Sequence, residues 1–87
     1  MRALIVDDSS FIREYLRYLL SQMDVVCEEA VDGSDALTVL AAEETFDLML
    51  LDVNMPVMNG LECVKALREA RLGPTMKVMM VVVWMME

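Results

Sequence analysis

The sequence predicts an α/β fold on an open, parallel, four-stranded sheet, and three observations lead there. Short apolar runs alternate with helical patterns in the order β-α-β-α-β-α-β. The innermost runs are apolar on both faces, so they need helices on both sides of the sheet. The connections are short, as right-handed helical crossovers between parallel strands require.

The first strand is "RALIV", Arg2 to Val6, a run of strand formers ended by Asp7-Asp8. Ser9 and Ser10 offer N-cap hydroxyls for the first helix. Phe11, Ile12, Tyr15, Leu16, Leu19 and Leu20 recur at helical spacing, with Arg13, Glu14 and Arg17 on the solvent side, up to about Gln22. "VVCEEAV", Val25 to Val31, is a less apolar strand and so belongs nearer a sheet edge. A turn at Asp32-Gly33 and a cap at Ser34 open a short second helix carrying Ala36, Leu37, Leu40 and Ala41. "FDLMLL", Phe46 to Leu51, is the third strand. After Pro56, Gly60 leads into Leu61, Val64, Leu67 and Ala70, a third helix reaching about Arg71 and stopped by Gly73-Pro74. The fourth strand starts at about Lys77.

Eighty-seven residues make one small domain, 57% apolar, with a mean hydropathy of +0.47. Core material is plentiful; polar surface to cover it is not. Seven basic residues against fifteen acidic ones leave a formal charge of -8, which argues against phosphate-neutralising contact with nucleic acid. Cys27 and Cys63 lack the pattern of a disulfide framework or zinc site and read as buried thiols in a reducing compartment. Asp7-Asp8 interrupts any signal-peptide core, and the uncharged run Val78 to Met86 is about half the length of a spanning helix. No membrane is expected, and the cytoplasm is the expected location.

In open parallel sheets, ligands bind beyond the carboxyl ends of the strands. Asp7, Asp8 and Asp52 lie there, on the first and third strands, which are neighbours if the sheet reverses its winding as flavodoxin-like sheets do. Taken singly, Asp8 could serve only the dipole of the first helix, and Asp52 only a strand end. Three carboxylates at one edge repel one another unless a cation joins them. Mg²⁺ suits such a set: it takes oxygen ligands and needs only one or two carboxylates beside a phosphoryl oxygen. One carboxylate then stays available as a nucleophile.

"LIVDDSSFIR" (Leu4 to Arg13), "VDGSDAL" (Val31 to Leu37) and "DLMLLDVNMPVMNGLE" (Asp47 to Glu62) together resemble the receiver domain of two-component response regulators, chemotaxis type. The resemblance runs from Arg2 to about Val81 and implies the flavodoxin-like (CheY-like) sheet order 2-1-3-4-5. It implies a signalling module rather than an enzyme. Asp52 would accept a phosphoryl group from a sensor histidine kinase. Asp7, Asp8 and Asp52 would hold Mg²⁺ with the main-chain carbonyl of Asn54. Met55, Pro56 and Gly60 would shape the active-site loop. The Asp-Val-Asn triplet departs from the haloacid-dehalogenase pattern, which wants a second aspartate two residues on.

The family pattern also asks for a Ser or Thr ending the fourth strand and a Lys ending a fifth. The first position falls at Val82, and the sequence stops at Glu87, so the resemblance implies a receiver truncated after the fourth strand, with impaired phosphotransfer and switching. "KVMMVVVWMM" would run roughly 33 Å at about 3.3 Å per residue, an apolar edge suited to pairing with another chain. A homodimer is expected through this strand, with Val78, Met80, Val82, Trp84 and Met86 at the interface and the sheet completed by its partner. The competing functional reading is therefore a non-signalling structural or interaction fragment, natural or engineered.

Overall fold

Seven elements alternate along the chain: β1 (Arg2–Val6), α1 (Ser10–Ser21), β2 (Val26–Ala30), α2 (Gly33–Ala42), β3 (Leu48–Asp52), α3 (Gly60–Glu69) and β4 (Lys77–Val81). The computed structural model describes residues 1–42, 46–53, 58–72 and 74–81. Asn54, Met55, Pro56, Val82, Trp84 and Met86, expected at the site or an interface, lie outside the described residues. The strands form one parallel sheet in the order β2-β1-β3-β4, as the flavodoxin-like reading expects.

β1 sits inside the sheet, and Ala3 to Val6 are completely buried. Because side chains alternate along a strand, Leu4 and Val6 face one core and Ala3 and Ile5 the other. β3 divides likewise, with Met49 and Leu51 on the first side and Leu50 on the second. The first core is closed by Ala36 and Leu40 of α2, Cys63 and Leu67 of α3, and Phe46 and Met76. The second lies under α1, which contributes the half-buried Leu16 and Leu20 and no fully buried residue. Both thiols are buried and free, as expected. Asp47 pins the starts of three strands: its amide donates to the Arg2 carbonyl (2.8 Å), its carbonyl accepts from the Lys77 amide (3.0 Å), and its carboxylate accepts from the Arg2 amide (2.8 Å).

The helix ends correct the sequence reading in two places. Ser9 does cap α1, accepting from the Ile12 amide at 3.3 Å. α2 is capped by Asp32 instead of Ser34: Asp32 Oδ1 accepts from the Asp35 amide (2.8 Å), and Asp35 Oδ2 reaches back to the Val31 amide (3.0 Å). The Asp32 carboxylate satisfies one orphan amide of the first turn and Asp35 ties the helix start back to β2, so the helix begins at Gly33 and Ser34 falls inside it. α3 ends at Glu69 and not at Arg71, because Arg71 turns into the left-handed region (φ 57°) and the Leu72 amide returns to the Leu67 carbonyl at 2.9 Å. α1 closes the same way, with Asp24 at φ 59° and the Val25 amide on the Leu20 carbonyl at 3.1 Å. These are Schellman turns made without glycine.

β4 is an edge among the described residues, with Met79 56% and Met80 37% exposed. Of the two expected interface side chains described here, Val78 packs on this chain's own first core and Met80 is exposed. No described helix is long and apolar enough to cross a membrane.

A left-handed residue with a β-carbon costs roughly 1–2 kcal/mol, part of which glycine loses again as chain entropy. Arg71→Gly is therefore expected to stabilise the fold by about 1 kcal/mol, read as a higher urea midpoint at unchanged slope. Asp24→Gly should gain less, because a short aspartate tolerates that region better.

Candidate functional site

The parallel register sets the site. Val6 pairs with Leu51, so the next residues, Asp7 and Asp52, leave the same edge of the sheet side by side. Asp7, Asp8 and Asp52 each offer a carboxylate oxygen within 4.8 Å of the others. Asp7 is 3% exposed, Asp52 is half-buried and Asp8 is exposed. The convergence expected from the sequence is present in full.

Residue 7 is held at each polar group. Its amide donates to the Ala30 carbonyl at 3.2 Å, prolonging the β1–β2 ladder by one step. Its Oδ1 accepts from the Ser9 amide at 2.9 Å. Its carbonyl accepts from Arg13 Nη1 at 2.7 Å. Arg13 corrects the sequence reading, which placed it on the solvent side of α1. Its side chain is 14% exposed and folds back over the β1–α1 turn, because Glu29 of β2 accepts from its Nε at 2.9 Å. One turn after the Ser9 cap, and with an acidic strand residue to meet, this arginine carried a signal that helical spacing alone does not weigh.

Gly60 also changes role. It is the first residue of α3 rather than part of a loop, and its amide donates to the Val53 carbonyl at 3.2 Å. A β-carbon there would meet the Asp52 carbonyl oxygen at 2.9 Å, the Val53 Cα at 3.1 Å and the Met80 sulfur at 3.2 Å. Only a glycine lets α3 start this close to the end of β3. Its entry is set by a capping box the sequence reading overlooked, visible as "NGLE": Glu62 N–H to Asn59 Oδ1 at 2.9 Å and Asn59 N–H to Glu62 Oε1 at 3.3 Å. Of the remaining expected site residues, Asn54, Met55 and Pro56 fall outside the described residues.

Burial pushes the Asp7 carboxyl above its ordinary value; the Ser9 amide pulls it back, and the charges of Asp52 and Asp8 push it up again. The donor set is all hard oxygen and carries like charges in close proximity. It fits a small divalent cation and not a soft metal.

Residues 3–87 match the response regulator receiver domain family. The chain is 38% identical over 84 residues to a chemotaxis protein CheY homolog of Campylobacter jejuni, covering 93% of this chain and 63% of that protein. Among solved structures, Vibrio cholerae chemotaxis protein CheY4 superposes with a TM-score of 0.81 at 39% identity, over 91% of this chain and 65% of that one. The response regulator TrrA of Thermotoga maritima, determined in complex with Mg(2+)-BeF, gives a TM-score of 0.79 at 32% identity over 88% and 64%. The chain thus spans less than two thirds of each of these proteins.

A raised carboxyl pKa means the folded protein holds the proton more tightly than the unfolded chain does. Asp7 therefore stabilises the fold most at pH values below its ordinary one near 4. That contribution is lost as the pH rises through the folded value. In chelator, Asp7→Asn, which keeps an oxygen for the Ser9 amide, should raise the urea midpoint at pH 8 and leave it nearly unchanged at pH 3.5. Equal effects at both pH values would contradict the electrostatic account.

Proposed function

This chain belongs to the response regulator receiver domain family, and on that premise we propose that Asp52 is a phosphoacceptor served by Mg²⁺ at Asp7, Asp8 and Asp52. Receiver domains act in two-component phosphorelays with histidine kinases, so the donor is the phosphohistidine of a sensor kinase. The observation that carries this reading is the gathering of three carboxylates within 4.8 Å beyond the strand ends. The magnesium-bound relative from Thermotoga maritima supports the same choice of ion.

An Asp52 carboxylate oxygen attacks phosphorus in line with the bond to the imidazole nitrogen. That bond breaks, its electron pair stays on the nitrogen, and an acyl phosphate forms on Asp52. Asp7, Asp8 and Asp52, with the Asn54 carbonyl, would hold Mg²⁺, whose charge would offset that on the phosphoryl oxygens. The Ser9 amide and the Ala30 carbonyl hold Asp7 in place, and the Gly60 contact holds the end of β3. Val82 stands where the resemblance puts a hydroxyl, and valine has none to donate. Loss of one fixed donor to a transferring group costs about 3 kcal/mol, on the order of a hundredfold in rate.

Incubation with acetyl phosphate and Mg²⁺ should add one phosphoryl group by intact mass, and Asp52→Asn should abolish it. Val82→Thr should accelerate labelling by tenfold or more. Magnesium binding without any labelling of the parent chain would remove the phosphoacceptor reading.

Among the described residues β4 is an exposed edge, which favours a second reading, a homodimer built by antiparallel pairing of two such edges, in a chain that serves as an interaction module. Backbone groups, not Val78, would supply the pairing. Light scattering after size exclusion should give twice the 9.9 kDa chain mass at micromolar concentration, and Trp84→Glu should return it to monomer. A parent chain that elutes as a monomer contradicts this.

A further inference from the structure

We infer that Arg13 is a positioning residue for the cation pocket, aimed by Glu29 of the edge strand, so that metal affinity depends on two residues that are not ligands. The inference rests on the magnesium reading above and adds to it a determinant from α1 and β2.

Arg13 Nη1 donates to the carbonyl of Asp7 at 2.7 Å, and that carbonyl belongs to the peptide joining Asp7 to Asp8. The orientation of this one peptide decides how both side chains leave the backbone. Among the described residues, the Asp7 side of this turn is also held by the Ala30 carbonyl on the Asp7 amide (3.2 Å) and the Ser9 amide on the Asp7 carboxylate (2.9 Å), while Asp8 is exposed. The guanidinium itself is locked. Its Nε donates to Glu29 Oε1 at 2.9 Å, and Arg17 Nε forms an ion pair with the other Glu29 oxygen at 3.0 Å. Arginines on successive turns of α1 thus share one carboxylate of β2. A planar fork with fixed donor directions can serve a carbonyl and a carboxylate at once; the point charge of lysine cannot do so with the same geometry.

Two effects of Arg13 oppose each other. Its positive charge repels a cation, so a purely electrostatic role predicts tighter magnesium binding when it is removed. A positioning role predicts the reverse, because groups that orient ligands typically account for about 10–100-fold in metal affinity. The sign of the change separates them.

The experiment is calorimetric titration with Mg²⁺ alone on the parent chain and on Arg13→Gln, Arg13→Lys and Glu29→Gln. Hydrogen exchange at the Ser9 and Leu51 amides in chelator provides a metal-free readout. The expected result is roughly tenfold weaker binding for Arg13→Gln, smaller losses for the other two, and faster exchange at Ser9. Leu51, fully buried in β3, should keep its protection and so report an intact fold. Unchanged or tighter binding in Arg13→Gln with Leu51 protected overturns the inference while the magnesium reading stands. If Arg13→Gln does not fold, unchanged binding and unchanged Ser9 exchange in both milder variants overturn it. A parent chain that binds no magnesium overturns both.

Discussion

The rest of the structure depends on the burial of β1 between two strands and two layers of helix. Its four innermost residues are wholly inaccessible, and each belongs to one of the two cores. Parallel pairing on both sides ties the register to the packing: a shift of one residue would send Leu4 and Val6 into the core that fits Ala3 and Ile5, and the reverse. That constraint carries the acidic residues that follow. Asp7 stands next to Asp52 because Val6 is opposite Leu51. The driving force is apolar, and its by-product is a concentration of negative charge that folding alone does not favour.

That conflict is local, and the chain confines it. One carboxylate is buried and held by the Ser9 amide, one is half-buried, and one is left in solvent. The backbone around them is secured by groups remote from the charges: the Ala30 carbonyl, the guanidinium of Arg13, and a helix start that tolerates no β-carbon at residue 60. An acidic cluster with rigid supports is poised for a cation, since the ion relieves repulsion already present instead of waiting for ligands to assemble.

The two faces of the sheet are unequal. α2 and α3 close one side with fully buried leucine, alanine and cysteine side chains. α1 covers the other with half-buried leucines, while Phe11, Tyr15 and Tyr18 stay exposed. The strength of α1 as an element comes instead from its Ser9 cap, its amphipathic spacing and the arginine–glutamate contacts to β2. The functional edge is therefore anchored to the weaker layer by polar contacts and to the stronger one by packing.

Element order, the parallel sheet and the three aspartates were legible in the sequence by itself, because period, punctuation and apolar runs are local properties of the chain. So was the receiver resemblance, carried by "LIVDD", "VDGSDAL" and the stretch around Asp52. The caps were only partly legible: Asp32 and Ser34 both suit a helix start, and the choice turned on which oxygen reaches the Asp35 amide. Three assignments needed the tertiary structure. Arg13 reads as a solvent-facing residue on a helical wheel, and only the nearness of Glu29 and the Asp7 carbonyl turns it inward. Gly60 reads as a residue of the active-site loop that leads into the third helix, and the approach of the Asp52 carbonyl shows that it is there for lack of a side chain. Val78 reads as a free edge residue but packs against its own core. In each case the deciding contact joins different elements or the two ends of one connection, and helical or strand periodicity carries no information about groups that only folding brings together.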